Sequence, residues 1–382
     1  MKVLHVNTDK TELIEGLLAR QGVDEVWLLS DGRPHESQWI GRPKCRVFRV
    51  KSLQNEPELR TFAQQMTPPD VVITGSERGV VAAAVLRSVW GLGGASIDTA
   101  RNCTDKFRMK TVLQKCGIPV SPFALTPDPS WRKTVKKPRI GWGSRQTIVF
   151  SGQAPQFTGD DYFEQFLDIQ REFHIDGFVL NGYVAFVSVA QYFVPPLKSQ
   201  GRGNGSMILE GLPEVSPLRA LTEEACHALR LEHTTFHLEI LEDIHNQYFV
   251  GEIGLRPGGA YIPSLIQMKY GVSLWDAVLD VELGINPPTT PAIPDAAGAV
   301  LLPIRTGRIT QMTSVKTLEG FRGVVSVRLF TNPGSVVKSS SFLSSDGSGF
   351  VLIRQSTLTE VRETITEILR QYVIETNQGE SD

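Results

Sequence analysis

The sequence predicts a mixed α/β (α+β) fold in three parts: an N-terminal α/β domain over residues 1–101, a central α+β domain over 102–290 and a β-rich C-terminal domain over 291–382. Three observations predict it. Strand and helix patterns alternate through the first hundred residues, a glycine-rich bend (IGWGS) lies between apolar strands, and the apolar segments after the proline run PPTTPAIP are again of strand length.

KVLHV reads as a strand, followed by Thr8 or Asp9 as the cap of a helix whose Leu13, Ile14, Leu17 and Leu18 share one face. EVWLLS, RVFRV and DVVITG continue as strands, and ELRTFAQQM and GVVAAAVLRSVWG as helices, which together imply a small parallel sheet. Its first turn, NTDKTE, lacks the G-x-G-x-x-G that lets backbone approach a dinucleotide pyrophosphate. A capped helix is expected from Thr104 through TDKFRMKTVLQKCG, then an extended IPVSPF, a β-rich piece around the glycine bend, and the strand-like FVLNGYVAFVSVAQYFV. PPLKSQGRGNGSMILEGLP, between Pro195 and Pro213, is polar and glycine-rich and reads as a mobile loop. Helices over LTEEACHALRLE and SLWDAVLDVELG, a linker from Pro287, strands in AVLLPIRTG, VVSVRLF and SGFVLIR, and a closing helix from Thr357 complete the chain.

Composition narrows the function classes. With 39 basic and 41 acidic residues, a net charge of −2, the chain has no overall basic field for nucleic acid or an anionic membrane surface. No apolar run approaches the ~20 residues of a membrane helix, and MKVLHVNTDK has no signal-peptide core. Cys45, Cys103, Cys116 and Cys226 show neither C-x-x-C spacing nor a disulfide framework, so a cytoplasmic setting is expected.

The chemistry concentrates in TTFHLEILEDIHNQYFVGEIGLRPGG. If His245 and Asn246 form a two-residue turn, Glu239 falls directly opposite Glu252, and His237 opposite Gly254. Like charges so placed repel, and a shared proton, a basic neighbour or a divalent cation must offset them. Carboxylates on a firm hairpin suit Mg²⁺, which takes one or two of them and leaves its other positions to water and phosphate. Arg256 shares a face with Glu252 by the period of two and could grip an accompanying anion or form an ordinary ion pair with that acid. His237 reads as a packed or hydrogen-bonded residue. Upstream, TVKKPRIGWGSRQTIVF sets two lysines beside a glycine-rich bend of the kind that crowds N–H groups around an anion, without the Walker A pattern.

In their order and spacing, TDKFRMKTVLQKCGIPV, KKPRIGWGS, FEQFLDIQREFHIDGFV, FHLEIL and VGEIGLRPGG resemble the ATP-grasp superfamily. PDVVITGSERGVVAAAVL looks like its Rossmann-like pre-ATP-grasp domain, and the stretch from VRLFTNPG to LTEVRE like the β-rich C-terminal domain of the biotin-carboxylase-like branch. The resemblance implies a lid over residues 121–190. It implies ATP-phosphate contacts from Lys106 and Lys137, with Lys136 on the other strand face, and a flexible loop at Gly141, Gly143 and Ser144. Glu164, Gln165, Phe166 and Leu167 match the adenine hinge. Glu172 matches a ribose-binding acid, though it also reads as an exposed strand glutamate. Glu239 and Glu252 match the ligands of one or two Mg²⁺ ions, with Mn²⁺ as an alternative. Arg256 matches the arginine that binds phosphate or substrate carboxylate, beside Gly258 and Gly259. Lys198 and Arg202 are expected to contact substrate from the mobile loop. Many members carry Glu-x-Asn, whereas Gly254 follows Glu252 here.

The resemblance therefore implies a carboxylate-amine ligase acting on small molecules through an acyl phosphate, with Arg256 and Lys137 at the reacting groups and, as in many relatives, a homodimer. The alternatives are a bicarbonate-dependent carboxylase, a ligase that charges a carrier protein, and a nucleotide-binding protein without turnover.

Overall fold

Four β-sheets organise the computed structural model, which describes residues 1–382 except 33, 34, 142, 145, 200, 339–341 and 378–382. The first is parallel, in the order β3-β2-β1-β4, from β1 (Lys2–Val6), β2 (Glu25–Ser30), β3 (Cys45–Arg49) and β4 (Val71–Ile73). Leu4, Val6 and Leu29 face helices α2 (Glu56–Gln65) and α3 (Val80–Trp90), while Val3, Val26 and Leu28 face α1 (Thr11–Ala19). The cap of α1 is Lys10, with no capping side chain, in place of the expected Thr8 or Asp9; the Thr8 side chain is buried two residues before it. After α4 (Ile97–Thr104), which the sequence reading did not predict, Asp105 caps α5 (Lys106–Lys115) by accepting from the N–H groups of Phe107 and Arg108.

A four-stranded antiparallel sheet follows, β5-β8-β6-β7, built from β5 (Phe123–Ala124), β6 (Thr134–Pro138), β7 (Ile148–Phe150) and β8 (Asp161–Gln165). It ends at Gln165. The remainder of the stretch expected to form the lid, up to residue 190, enters the large sheet as β9 (Ile169–Leu180) and β10 (Tyr183–Tyr192), because their alternate side chains bury on that sheet's core. Asn181 (φ 52°) and Gly182 (φ 79°) join the two in a tight turn that needs positive φ at both positions.

The large sheet runs β13-β12-β9-β10-β11-β14-β18-β16, adding β11 (Asn204–Ile208), β12 (Thr234–Asp243), β13 (Tyr248–Gly254), β14 (Ala296–Leu302), β16 (Val324–Leu329) and β18 (Gly349–Gln355). The C-terminal strands thus extend the central sheet. A three-stranded sheet of β15 (Gly307–Met312), β17 (Val336–Val337) and β19 (Ile374–Asn377) flanks them. Strand β11 corrects the expected mobile loop: Asn204 to Ile208 are all buried between β10 and β14. Glycine here serves packing. A Cβ on Gly205 would lie 2.6 Å from the Ala299 carbonyl oxygen and 3.2 Å from the Ile365 side chain.

Helix α6 (Val215–Ala228) packs on the core face of the large sheet. Helices α7 (Ile262–Tyr270) and α8 (Leu274–Glu282) lie on the opposite face, where Val278 and Leu279 also fill the core of the N-terminal sheet. One helix therefore keys the two sheets together, and Asp280 and Glu282 add ion pairs to Arg20 and Arg87 of the N-terminal part. Helices α9 (Val315–Glu319) and α10 (Leu358–Gln371) cover the C-terminal strands. The latter opens on a capping box between Thr357 and Glu360. No helix among the described residues is long and apolar enough to cross a membrane.

A Gly205→Ala substitution is expected to cost about 1–3 kcal/mol through overpacking against fixed backbone, seen as a lower thermal midpoint. An unchanged midpoint would count against the packing role of this glycine.

Candidate active site

The floor of a cleft of about 670 Å³ is the face of β9, β12 and β13 opposite the hydrophobic core. Phe173, Ile175, Leu238 and Ile240 point into that core, so Glu172, Glu239 and Glu252 point into the cleft. Glu239 pairs directly with Glu252, and His237 with Gly254. The route to this register differs from the two-residue turn. Ile244, His245 and Asn246 form a three-residue loop, closed by the Asp243 N–H donating to the Gln247 carbonyl at 3.1 Å, and Asn246 takes φ 60°. An irregularity between Glu239 and Ile240, where Gly251 is the extra residue on β13, then restores the offset.

Three carboxyl groups thus share a few strand positions. Burial, then the charge of Glu239, push the Glu172 carboxyl well above the usual carboxylate range, against the pull of Lys137. Burial would raise Glu252 as well, but Lys106, at 3.1 Å, and the charges of Lys137 and Arg256 hold it below the ordinary value. Glu172 therefore lies with the acids of the floor rather than on an exposed strand face.

Lys106 opens α5, and its position is sewn to the glycine bend: its backbone N–H donates to the Arg139 carbonyl at 2.8 Å and its ammonium to the Gly141 carbonyl. Gly141, Gly143 and Ser144 line the cleft beside it, the last two at φ 65° and 57°. Lys137 enters from β6. Its ammonium lies 3.1 Å from both carboxylate oxygens of Glu164, whereas Lys136 turns away towards the Gln156 carbonyl and Asp161.

Glu164 has a different surrounding from the nucleotide contact expected of it. Its carboxylate is buried among Lys110 (3.4 Å), Lys137, the Ser121 hydroxyl (2.8 Å) and the Tyr162 hydroxyl. Burial alone would raise its pKa, but the two ammonium groups and the two hydroxyls hold it far below the carboxylate range. Lys110 is fully buried, and Lys137 is kept protonated because the Glu164 charge and hydrogen bonds outweigh burial. The next three residues, Gln165 to Leu167, line the cleft. Gln165 N–H donates to Pro122 and Phe166 N–H to Lys133, while the Leu167 N–H has no acceptor among the described residues. That free donor at a strand end suits the edge of a flat, hydrogen-bonding base.

Arg256 reaches the cleft with its Nε 3.0 Å from Glu77 and a second nitrogen donating to the Pro257 carbonyl. Glu77 was missed by the sequence reading. It lies against the strand at Gly254, where a Cβ would sit 2.8 Å from the Glu77 carboxylate. Gly258 lies under the cleft, donating its N–H to Asp176 at 3.1 Å with no room for a Cβ, while Gly259 lines the cleft. Lys198 also lines it, exposed; Arg202 does not reach the lining.

His237 is hydrogen-bonded and buried, as expected, but the polar chain it joins behind Glu239 was missed. Asp176 accepts from His174 (2.7 Å) and His237 (2.8 Å), His174 also meets the Ser206 hydroxyl, and His237 Nε2 lies 3.6 Å from Glu239. Burial opposes protonation of His237, but Asp176 pushes its pKa up to about 10. The alternation in FHID was the available signal, since His174 and Asp176 fall on the face of Glu172.

No protein-family model matches the chain. It is 28% identical over 377 residues to the L-arginine-specific L-amino acid ligase of Bacillus subtilis, covering 90% of this chain and 91% of that protein. Among solved structures it is similar to the L-amino acid ligase from Bacillus licheniformis (TM-score 0.78, 18% identity, 98% of each chain covered). It is also similar to N5-carboxyaminoimidazole ribonucleotide synthetase from Thermotoga maritima (TM-score 0.72, 15% identity, 98% and 99% covered).

Replacing Glu164 with Gln strands the Lys110 charge, and a loss of about 3–5 kcal/mol is expected at neutral pH. A carboxylate depressed in the folded state stabilises above its unfolded pKa, about 4.5, and ceases to do so as the pH falls towards its folded value. The gap between wild type and variant in denaturant titrations should therefore narrow below about pH 4.5; a constant gap would contradict the buried pairing.

Proposed function

We propose that this chain, which belongs to the ATP-grasp superfamily, is an ATP-dependent carboxylate-amine ligase whose carboxylate substrate is an amino acid. The observation that carries the reading is the register of Glu239 against Glu252 beneath Lys106, Lys137 and the glycine bend, in one cleft with Arg256. The relative named an L-amino acid ligase, aligned over nine-tenths of the chain, supports an amino acid as substrate.

In this reading the Leu167 N–H meets the adenine edge, and Lys106 and Lys137 neutralise the phosphates beneath the glycine bend. Glu239 and Glu252 would hold Mg²⁺, or Mn²⁺ in its place, and the crowded floor fits it: two in-register acids with the raised carboxyl of Glu172 beside them. That ion supplies charge neutralisation for phosphoryl transfer. Arg256, aimed by Glu77, holds the substrate carboxylate as one of its oxygens takes the γ-phosphoryl group from ATP, releasing ADP. The amine nitrogen then attacks the carbonyl carbon, the bond to phosphate breaks, and the nitrogen loses a proton. The glycine bend and the small sheet exclude the water that would otherwise hydrolyse the acyl phosphate.

A binder without turnover would release no ADP. A bicarbonate-dependent carboxylase would share the fold. A cytoplasmic setting and a homodimer belong to the same proposal, and a small amine is preferred over a carrier protein as the acceptor.

Phosphate release with ATP and Mg²⁺, screened against pairs of L-amino acids and against bicarbonate, tests this directly. Dipeptide and ADP in equal amounts are expected with amino-acid pairs, and stimulation by bicarbonate alone would favour the carboxylase. Glu252→Gln should lower turnover on the order of 100-fold or more; near wild-type turnover would refute the metal assignment.

A further inference from the structure

Lys10 enters the cleft from the first turn of the parallel sheet, together with Asp9, Ser76, Glu77 and Arg78. Gly75 leaves room for its stem, since a Cβ there would stand 3.4 Å from Lys10 Cγ. The neighbouring cations are matched: Arg256 with Glu77 at 3.0 Å, Arg78 with Asp31 at 2.7 Å and Lys106 with Glu252 at 3.1 Å. Asp9, beside Lys10 in the chain, accepts from the Ser76 hydroxyl at 3.1 Å. The Lys10 ammonium has no hydrogen-bond or ion-pair partner among the described residues. Burial lowers its pKa, Asp9 restores part of that, and the positive charge of Arg256 lowers it again. Two cations that feel each other across a partly desolvated space are stabilised by an anion between them.

We infer that Lys10 binds the free carboxylate of the amino acid whose amine attacks the acyl phosphate. The inference rests on the ligase reading. The phosphates are provided for elsewhere, by Lys106, Lys137 and the glycine bend, and Lys137 is influenced by Glu164, Glu252 and Glu172 rather than by the N-terminal turn. Lys10 instead lines the same part of the cleft as Glu77, the partner of Arg256 at the reacting carboxyl. In an α-amino acid the carboxylate is one carbon from the attacking nitrogen, so its anchor must lie close to the point of amide formation. A cation on the wall beside Arg256 meets that requirement and makes Lys10 a specificity-determining residue for the second substrate.

The paired probes are the amine-side L-amino acid chosen by the screen and the α-carboxamide of that same amino acid, with the carboxyl donor held constant. Wild type is expected to favour the free acid in kcat/KM on the order of tenfold or more. Lys10→Met keeps the apolar stem over Gly75; it should bring that preference close to unity by raising KM for the acid, leaving KM for ATP and for the donor unchanged. Lys10→Arg should retain the preference. An undiminished preference in Lys10→Met, equal use of both probes by wild type, or a rise in KM for the donor instead would overturn the inference while leaving the ligase reading intact. Absence of dipeptide from wild type with every pair would overturn both.

Discussion

Repulsion between like charges on a rigid surface is the constraint around which this molecule is assembled. Glu239 and Glu252 face each other across two hydrogen-bonded strands, with Glu172 on the adjoining strand, and none can move apart without breaking the sheet. Positive charge must therefore come to them, and it comes from separate parts of the chain. Lys106 arrives on a helix start, Lys137 on the small sheet and Arg256 from the end of β13, so that the acids hold in register pieces that are remote in sequence.

A second group of charges shows the opposite solution. Around Glu164 the ammonium groups and hydroxyls satisfy the carboxylate within the protein, at nearly complete burial. Such a cluster contributes geometry more than net stability, because desolvating its members offsets much of the attraction. Its effect is to fix Lys137 and the Ser121 segment against α5. The contrast is between a cluster satisfied within the protein, which fixes its members in place, and a floor left with an excess of acid.

Much of this was legible in the sequence wherever the signal was local. Period-two alternation located β12 and β13 and the face of their acids, and the capped start expected at Thr104 lies one residue from Asp105, the cap of α5. What escaped notice depends on contacts between distant segments. Glu77 follows an ordinary strand, and nothing near it announces Arg256, 179 residues away. Polar Asn204 and its glycines looked unable to form a core strand, yet Gly205 is what lets β11 pass under Ile365 and beside β14. His174 and Asp176 drew no reading, because their partner His237 comes from β12, about sixty residues on.

The hairpin that bears the two acids also bears on how such a chain can change length. Its connecting loop carries one residue more than the tightest turn, and the irregularity at Gly251 carries one more on the returning strand. Neither residue belongs to a paired position, so the pairs on either side of each keep their partners if it is lost, and Glu252 stays opposite Glu239. The hairpin therefore has two places at which its length can change by one residue while the acids remain face to face.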